Sequence, residues 1–411
     1  MRFERFIATR FLPRRGDGGF SAPLSSVAVA AITLGVVVML LAVCVLRGFQ
    51  NSIADKVAGF GSHITVMPFS SNPSYQEAPM AVDSALVQRL QTTPGVRHLQ
   101  PFATKGGMVK TGGQIHGVIL RGMTPDSDTS FFSSSLVEGH FPQLGGTGGG
   151  EVSNEVLVSR TLATKLEVSP GNKLRTYFWH EGAPRARAFT ISGIYNTDLR
   201  EMDEVYIVGD LRVVQRLNGW GDSVAGGYEL FLDDLGQLDN VAPRILEQLP
   251  YDLTMQTLVE SRPALFSWLD LLNSNVTLIL TIMCIVCAIA IVSALLIIIF
   301  EKQATIGILK ALGATERSIR RIFLLKGSGI ILRGILIGTL IAAALCLVQI
   351  TWEPLRLDAE SYSMTHVPID LNPWTFLAVD LGTLALCLLA LLLPTGYISR
   401  ISPATTVRNE K

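Results

Sequence analysis

The chain has 411 residues, of which 48% are hydrophobic and only 17% charged, with a mean hydropathy of +0.39. That is too oily for an ordinary soluble protein of this length, so a membrane protein with a sizeable polar part is expected. The 34 basic residues balance the 34 acidic ones, which leaves no global field to attract nucleic acid and makes charge informative only by position.

Taken in chain order, residues 1–24 open with Phe3, Phe6, Ile7 and Phe11 at helical spacing and Arg2, Arg5 and Arg10 off that stripe, until Pro13. An interfacial amphipathic helix on the cytoplasmic side is predicted there. Gly18 to Leu46 then runs 29 residues without a charge. About 20 residues suffice to cross the hydrocarbon core, and a first span over 25–47 follows. The run ends in Leu46-Arg47-Gly48-Phe49, not in a small-residue cleavage site. An uncleaved anchor is expected, held with its N-terminus inside by the five preceding arginines.

From 48 to 270 the composition becomes that of a soluble domain, expected outside the cytoplasm. His63 to Met67 reads as a strand, Ser84 to Gln91 as a helix, and Lys105 to Lys110 with Gln114 to Leu120 as a hairpin around Thr111, Gly112 and Gly113. Gly145 to Gly150 is nearly all glycine and reads as loop. Val156 to Ser159, Leu174 to Phe178 and Phe189 to Tyr195 are further strands, with a helix at Thr161 to Leu166 and a turn at Pro170-Gly171. We expect a second unit inserted at about 124–215, after which Tyr228 to Leu232, Leu238 to Gln248 and Leu253 to Leu258 return the chain to the first.

The second span is expected over 271–300, where Leu271 to Phe300 has 30 uncharged residues. The connection 301–326 is a polar island that reads as two short helices. Gly313 closes the first, and Thr315 with Glu316 begins the second, whose Ile319, Ile322 and Phe323 face inward. Six basic residues (Lys302, Lys310, Arg317, Arg320, Arg321, Lys326) stand against Glu301 and Glu316, which assigns it to the cytoplasm. A third span covers 327–352. Within it Gly334, Gly338, Ala342 and Cys346 recur every four residues, a ridge that lets another helix approach closely. The loop 353–373 carries Arg356 against Glu353, Asp358, Glu360 and Asp370 and belongs outside. The fourth span covers 374–397, and the tail 398–411 with Arg400, Arg408 and Lys411 returns inside. Two ionisable residues fall within spans. Arg333 has a stem long enough to reach the inner surface, whereas Asp380 should face the bundle interior or a wet cavity.

No chemistry-bearing constellation emerges. The chain lacks G-x-x-x-x-G-K-[ST], H-E-x-x-H and G-x-S-x-G, and no Cys/His pairs sit at metal-ligand spacing. Its six histidines are scattered. All five cysteines (Cys44, Cys284, Cys287, Cys346, Cys387) lie in apolar segments, so no extracytoplasmic disulfide framework is expected. Cys284 and Cys287 form a C-x-x-C, but inside a span they read as small helix residues on neighbouring turns. The expectation is no catalytic residue, no metal and no cofactor in this chain.

The run EKQATIGILKALGAT at Glu301 resembles the cytoplasmic coupling segment of FtsX-like ABC-transporter permeases, the family that includes MacB efflux permeases and the LolC/LolE lipoprotein-releasing permeases. ITLGVVVMLLAVCVLRGFQNSI, VSRTLATKLEVSPGNKLRTYF and LLLPTGYISRISPATTVRNE are similar to the lipoprotein-releasing type in its first span, its periplasmic strand-helix-strand stretch and its C-terminus. The resemblance implies an α-helical integral membrane protein with four transmembrane helices and a large periplasmic α+β domain of MacB-like type, in the bacterial inner membrane. It implies ATP bound by a partner ABC ATPase dimer, not by this chain. Glu301, Lys302, Ile306, Leu309, Lys310, Leu312, Gly313 and Ala314 would engage that ATPase, with Ile306, Leu309 and Leu312 as groove contacts. The further partners implied are a second permease subunit, identical or different, membrane lipids, a lipoprotein substrate and a periplasmic carrier. At the place of the family's carrier-binding hairpin, Trp179 to Arg187 (WHEGAPRAR) is short. Efflux of small molecules, signalling to a cell-wall hydrolase, and redox chemistry at Cys284 and Cys287 are the alternatives.

Overall fold

The fold is described from a computed structural model, covering residues 21–69, 77–111, 114–145, 152–180, 183–358, 362 and 364–397. The N-terminal amphipathic stretch up to Leu12, most of the glycine run and the tail 398–411 lie outside the described residues. The chain divides into two compact units, one of membrane helices (residues up to Gln50, Trp268–Arg356 and from His366) and one of Asn51–Ser267 with Leu357–Thr365.

Among the described residues, four helices are long and apolar enough to cross a membrane. They run over Ser21–Phe60, Pro263–Glu301, Glu316–Trp352 and Pro373–Ala390, the last continuing after Leu391 as Leu392–Tyr397. The first three helices exceed the spans read from hydropathy, because helical structure does not stop where charge begins, whereas the fourth breaks at Leu391 within its expected span. The first does not end at Gly48. A Cβ there would meet the Pro368 carbonyl oxygen at 2.6 Å, so this glycine makes room for the outer loop, and the helix continues on the buried stripe Phe49, Ile53, Val57 and Phe60. The second starts at Pro263, whose fixed φ and missing N–H suit a first helical turn. In the membrane unit the core gathers Ile32, Val36, Leu40, Ile291, Leu295, Ile298, Ile331 and Ile335, all at most 5% exposed.

The second unit is rich in strand, so the chain as a whole is mixed, helical in its membrane unit and α+β in the other. Its strands are β1 (Ile64–Pro68), β2 (Met80–Ala81), β3 (Val96–Thr111), β4 (Gln114–Met123), β5 (Leu136–Gly139), β6 (Glu155–Ser159), β7 (Lys173–His180), β8 (Ala183–Tyr195), β9 (Tyr206–Asp210), β10 (Val224–Ala225), β11 (Gly227–Leu232) and β12 (Leu253–Thr257). Ten of them form one sheet in the order β12-β1-β11-β3-β4-β9-β6-β8-β5, with β7 pairing both β3 and β8. The pairings β3-β4, β4-β9, β9-β6, β6-β8, β8-β7 and β7-β3 therefore close a ring of six strands. A closed ring has no free edge.

Two hydrophobic clusters bear on the layout of this unit. Ile64, Val66, Leu86, Leu90, Tyr228, Leu230 and Ile245 form one. Val109, Val118, Leu120, Phe178, Phe189, Ile191, Val214 and Leu217 form the other, with the ring. The expected insertion at 124–215 is thus not self-contained. Strand β3 pairs with β11 through its first half and with β7 through its second, so both cores share it. Of the stretch Trp179 to Arg187, residues 179–180 end β7 and 183–187 begin β8, in a register that runs from Lys173↔Thr190 to His180↔Ala183.

Candidate functional site: the connection and the helix seam

Around Gly313 the chain builds a tight helix-to-helix corner. The short helix Gln303–Ala311 ends with Gly313 at φ +90°. The Ala314 N–H donates to the Leu309 carbonyl at 2.9 Å and the Gly313 N–H to the Lys310 carbonyl at 3.0 Å. Those two bonds satisfy carbonyls a helix end otherwise leaves open, and only glycine adopts that φ without steric cost. Thr315 then caps the next helix, its hydroxyl accepting from Ser318 N at 3.3 Å. That helix is not a second short one. It continues unbroken to Trp352, since Gly327 and Gly329 do not interrupt a helix whose backbone bonds are internally satisfied.

The expected contacts in this segment divide by exposure. Ile306 is 1% exposed and lies in the bundle's own core, with Leu309 and Ala314 packed against that core. Of the three expected groove contacts, Ile306 is therefore buried, Leu309 half-buried and Leu312 exposed. In a helix, positions four apart share a face, and the outward face here carries Ile308 at 51% and Leu312 at 79% exposed. Ile308 is not among the expected groove contacts, because the spacing of aliphatic residues on so short a helix does not tell which side packs home. Lys310 pairs with Glu316 at 3.5 Å and Lys302 with Glu301 at 3.6 Å. Ile319, Ile322 and Phe323 are buried.

The ridge on the third span lies against the first. A Cβ on Gly334 would sit 2.8 Å from Ile32 Cβ, and one on Gly338 would sit 2.9 Å from Val36 Cβ. Thr33 Oγ1 donates to the Gly334 carbonyl at 3.1 Å. Ala342 is fully buried on the same line. Absent side chains are what bring these two backbones together. The two charges within spans stand apart. Arg333 is exposed, whereas Asp380 receives the Thr339 hydroxyl at 2.9 and 3.0 Å from its two carboxylate oxygens, a tie between third and fourth spans. At the outer end Gln349, buried, donates to the Leu355 carbonyl at 3.1 Å and accepts from Leu355 N at 3.1 Å, fixing the start of the loop.

In the strand-rich unit a buried ion pair joins β4 to β11. Arg121 Nη2 lies 2.6 Å from Glu229 Oε2, which also accepts from Gln100 Nε2 at 2.8 Å. Burial pushes the Glu229 carboxyl up and the Arg121 charge opposes it. Elsewhere Asp203 accepts from Thr197 N at 3.1 Å and Thr197 Oγ1 at 2.7 Å. Burial raises this carboxyl from 3.8 to about 6, the Thr197 donors offset part of the rise, and the charge of Asp198 adds to it. A groove of about 720 Å³ carries Asp55, His63, Arg97, Asp128 and Asp234. Among the described residues, no group of three or more His, Cys, Asp or Glu side chains could hold a metal ion.

Residues 25–238 match the family described as MacB-like periplasmic core domain, and residues 249–403 the family described as FtsX-like permease C-terminal. The chain is 27% identical to the lipoprotein-releasing system transmembrane protein LolC of Xylella fastidiosa (strain Temecula1), with 98% of each chain covered. It is 24% identical to the corresponding LolE of Haemophilus influenzae, with 97% of each covered. It is also similar to the solved periplasmic region of MacB from Actinobacillus actinomycetemcomitans, at 10% identity over 51% of this chain and 95% of that one, with a TM-score of 0.33. With one profile spanning more than half of the sequence and the second most of the remainder, the chain belongs to the FtsX-like membrane permeases that carry a MacB-like periplasmic core domain.

Proposed function

We propose that this chain is the permease subunit of an ABC transporter that draws lipoproteins from the outer leaflet of the bacterial inner membrane, with a separate cytoplasmic ATPase dimer supplying the energy. The observation that carries this reading is similarity over 98% of both lengths to relatives named as lipoprotein-releasing. A match of that extent takes in the spans, the outer domain and the connection together. The permease acts with a second permease subunit, a copy or a relative, and the released lipoprotein passes to a periplasmic carrier. The chain has no nucleotide-binding loop of its own, so ATP is bound by the partner.

The connection Glu301 to Ala314 is the ATPase contact in this reading. Support comes from the exposed pair Ile308 and Leu312 on a capped corner, because an apolar pair left largely in solvent suits a groove on another protein. The decisive experiment reconstitutes the chain with its second permease, the ATPase and a labelled lipoprotein, and asks whether ATP drives release. Leu312→Asp and Ile308→Asp should each cut ATP-driven release about tenfold or more, the equivalent of about 1.4 kcal/mol at the contact, without lowering the thermal midpoint of the purified chain. Release at the unsubstituted rate in both variants would remove the connection from the mechanism. ATP-independent release, or none, would remove the transport reading itself.

A further inference from the structure

The seam between the first and third spans advances four residues on each helix at every step. Gly334 faces Ile32 and Gly338 faces Val36, which carries the register on through Ala342 with Leu40 to Cys346 with Cys44. Both thiols are fully buried, and they lie within hydrogen-bond reach of each other. This pair sits at the outer end of the seam. The Cys44 carbonyl accepts from Asp370 N at 3.1 Å, and one turn on, Arg47 Nη1 donates to Thr375 Oγ1 at 2.5 Å. Cys346 is likewise three residues before Gln349, which holds the outer loop. The C-x-x-C motif of the sequence is a different place. Cys284 contacts Met39 Sδ at 3.8 Å and Cys287 packs by Gly35, deeper in the bundle.

We propose that Cys44 and Cys346 form a reversible dithiol–disulfide site that covalently joins the outer ends of the first and third spans. The oxidant is a small-molecule disulfide able to enter the seam. One cysteine, as thiolate, attacks the incoming S–S bond, forms a mixed disulfide and expels one thiol. The second cysteine attacks its neighbour's sulfur, closes the Cys44–Cys346 bond and expels the other. Two protons leave the cysteines and appear on the two expelled thiols, so the incoming disulfide is reduced by two electrons and the pair is oxidised by two. Helices brought close by glycine and alanine leave the two side chains little distance to span, as S–S geometry requires. The inference does not depend on which cargo the permease moves.

The test uses the full-length chain in lipid nanodiscs with 4,4′-dithiodipyridine, a membrane-permeant disulfide whose released thiopyridone is coloured. In the Cys284→Ser/Cys287→Ser/Cys387→Ser variant, two thiopyridones should be released per chain with no adduct retained, and dithiothreitol should restore both thiols. Adding Cys346→Ser should leave Cys44 carrying the pyridyl adduct with one thiopyridone released. Peptide mapping of the unsubstituted chain reads the same bond directly, and decides the matter if the triple variant does not fold. An adduct on both Cys44 and Cys346, both thiols left free, or a bond between two chains would each overturn the proposal.

Discussion

Asp203 shows how one carboxyl makes the outer unit sensitive to pH. It is buried, and folding raises its affinity for a proton from an ordinary 3.8 to about 6. The stabilisation this gives is fully present below 3.8 and lost as pH rises through about 6, with an upper bound of about 3 kcal/mol from the size of the shift. Asp203→Asn, whose amide can accept from Thr197 N and donate to the Thr197 hydroxyl, should flatten that part of the profile. Thermal midpoints of both proteins at pH 4 and pH 8 would show it, and an equal slope would rule out Asp203 as the source. Glycines in the helices separate in the same way. Gly338→Val should cost about 1–3 kcal/mol by overpacking against Val36, while Gly382→Ala, with nothing within 4 Å of the new methyl, should be neutral or gain up to about 1 kcal/mol of helix propensity. Midpoints in detergent would distinguish the two.

Among the elements, β3 and β4 hold the strand-rich unit together, and Arg121 with Glu229 is the polar tie that reaches over β3 from β4 to β11. Removing one partner leaves the other charge buried and unpaired, so Arg121→Met should destabilise by about 3–5 kcal/mol, and Arg121→Met with Glu229→Leu by clearly less. Chemical unfolding followed by tryptophan fluorescence measures both. This tie was invisible in the sequence, because nothing local relates residues 121 and 229. The same holds for ring closure. The strands themselves were legible as short runs of β-forming residues between turn signals, as at Val156 to Ser159 and Tyr228 to Leu232, but the pairing of β7 with β3 depends on contacts some 70 residues apart. The four membrane helices were legible because each contains a run long enough to cross a bilayer. Their ends were not, since Gly48 reads as a stop until the approach of Pro368 is seen. At the connection, Gly313 and Thr315 announced the corner. Whether Ile306 or Ile308 faced outward could not be read, because one short helix bears aliphatic side chains on more than one side.

For the molecule as a whole, charge placement makes the orientation testable. Basic residues dominate the connection 301–326, and the loop 353–373 is acidic, so the connection is expected inside and the strand-rich unit outside. Tyr251 is 99% exposed in that unit and Leu312 79% exposed in the connection. Against a background without native cysteines, Tyr251→Cys should react with a membrane-impermeant maleimide on intact spheroplasts, and Leu312→Cys only after the membrane is opened. The opposite pattern would invert the topology.

The unbroken helix from Glu316 to Trp352 has a mechanical meaning. At about 1.5 Å per residue, its 37 residues make a rod of about 55 Å with its charged foot at the Gly313 corner and its head against the outer loop. A rod with no internal joint cannot absorb a displacement applied at its foot. It must move as one piece, and the close approach of Gly334 and Gly338 to Ile32 and Val36 makes the first span move with it. Force entering at the corner would then reach Gln349 and the loop it grips as a lever stroke.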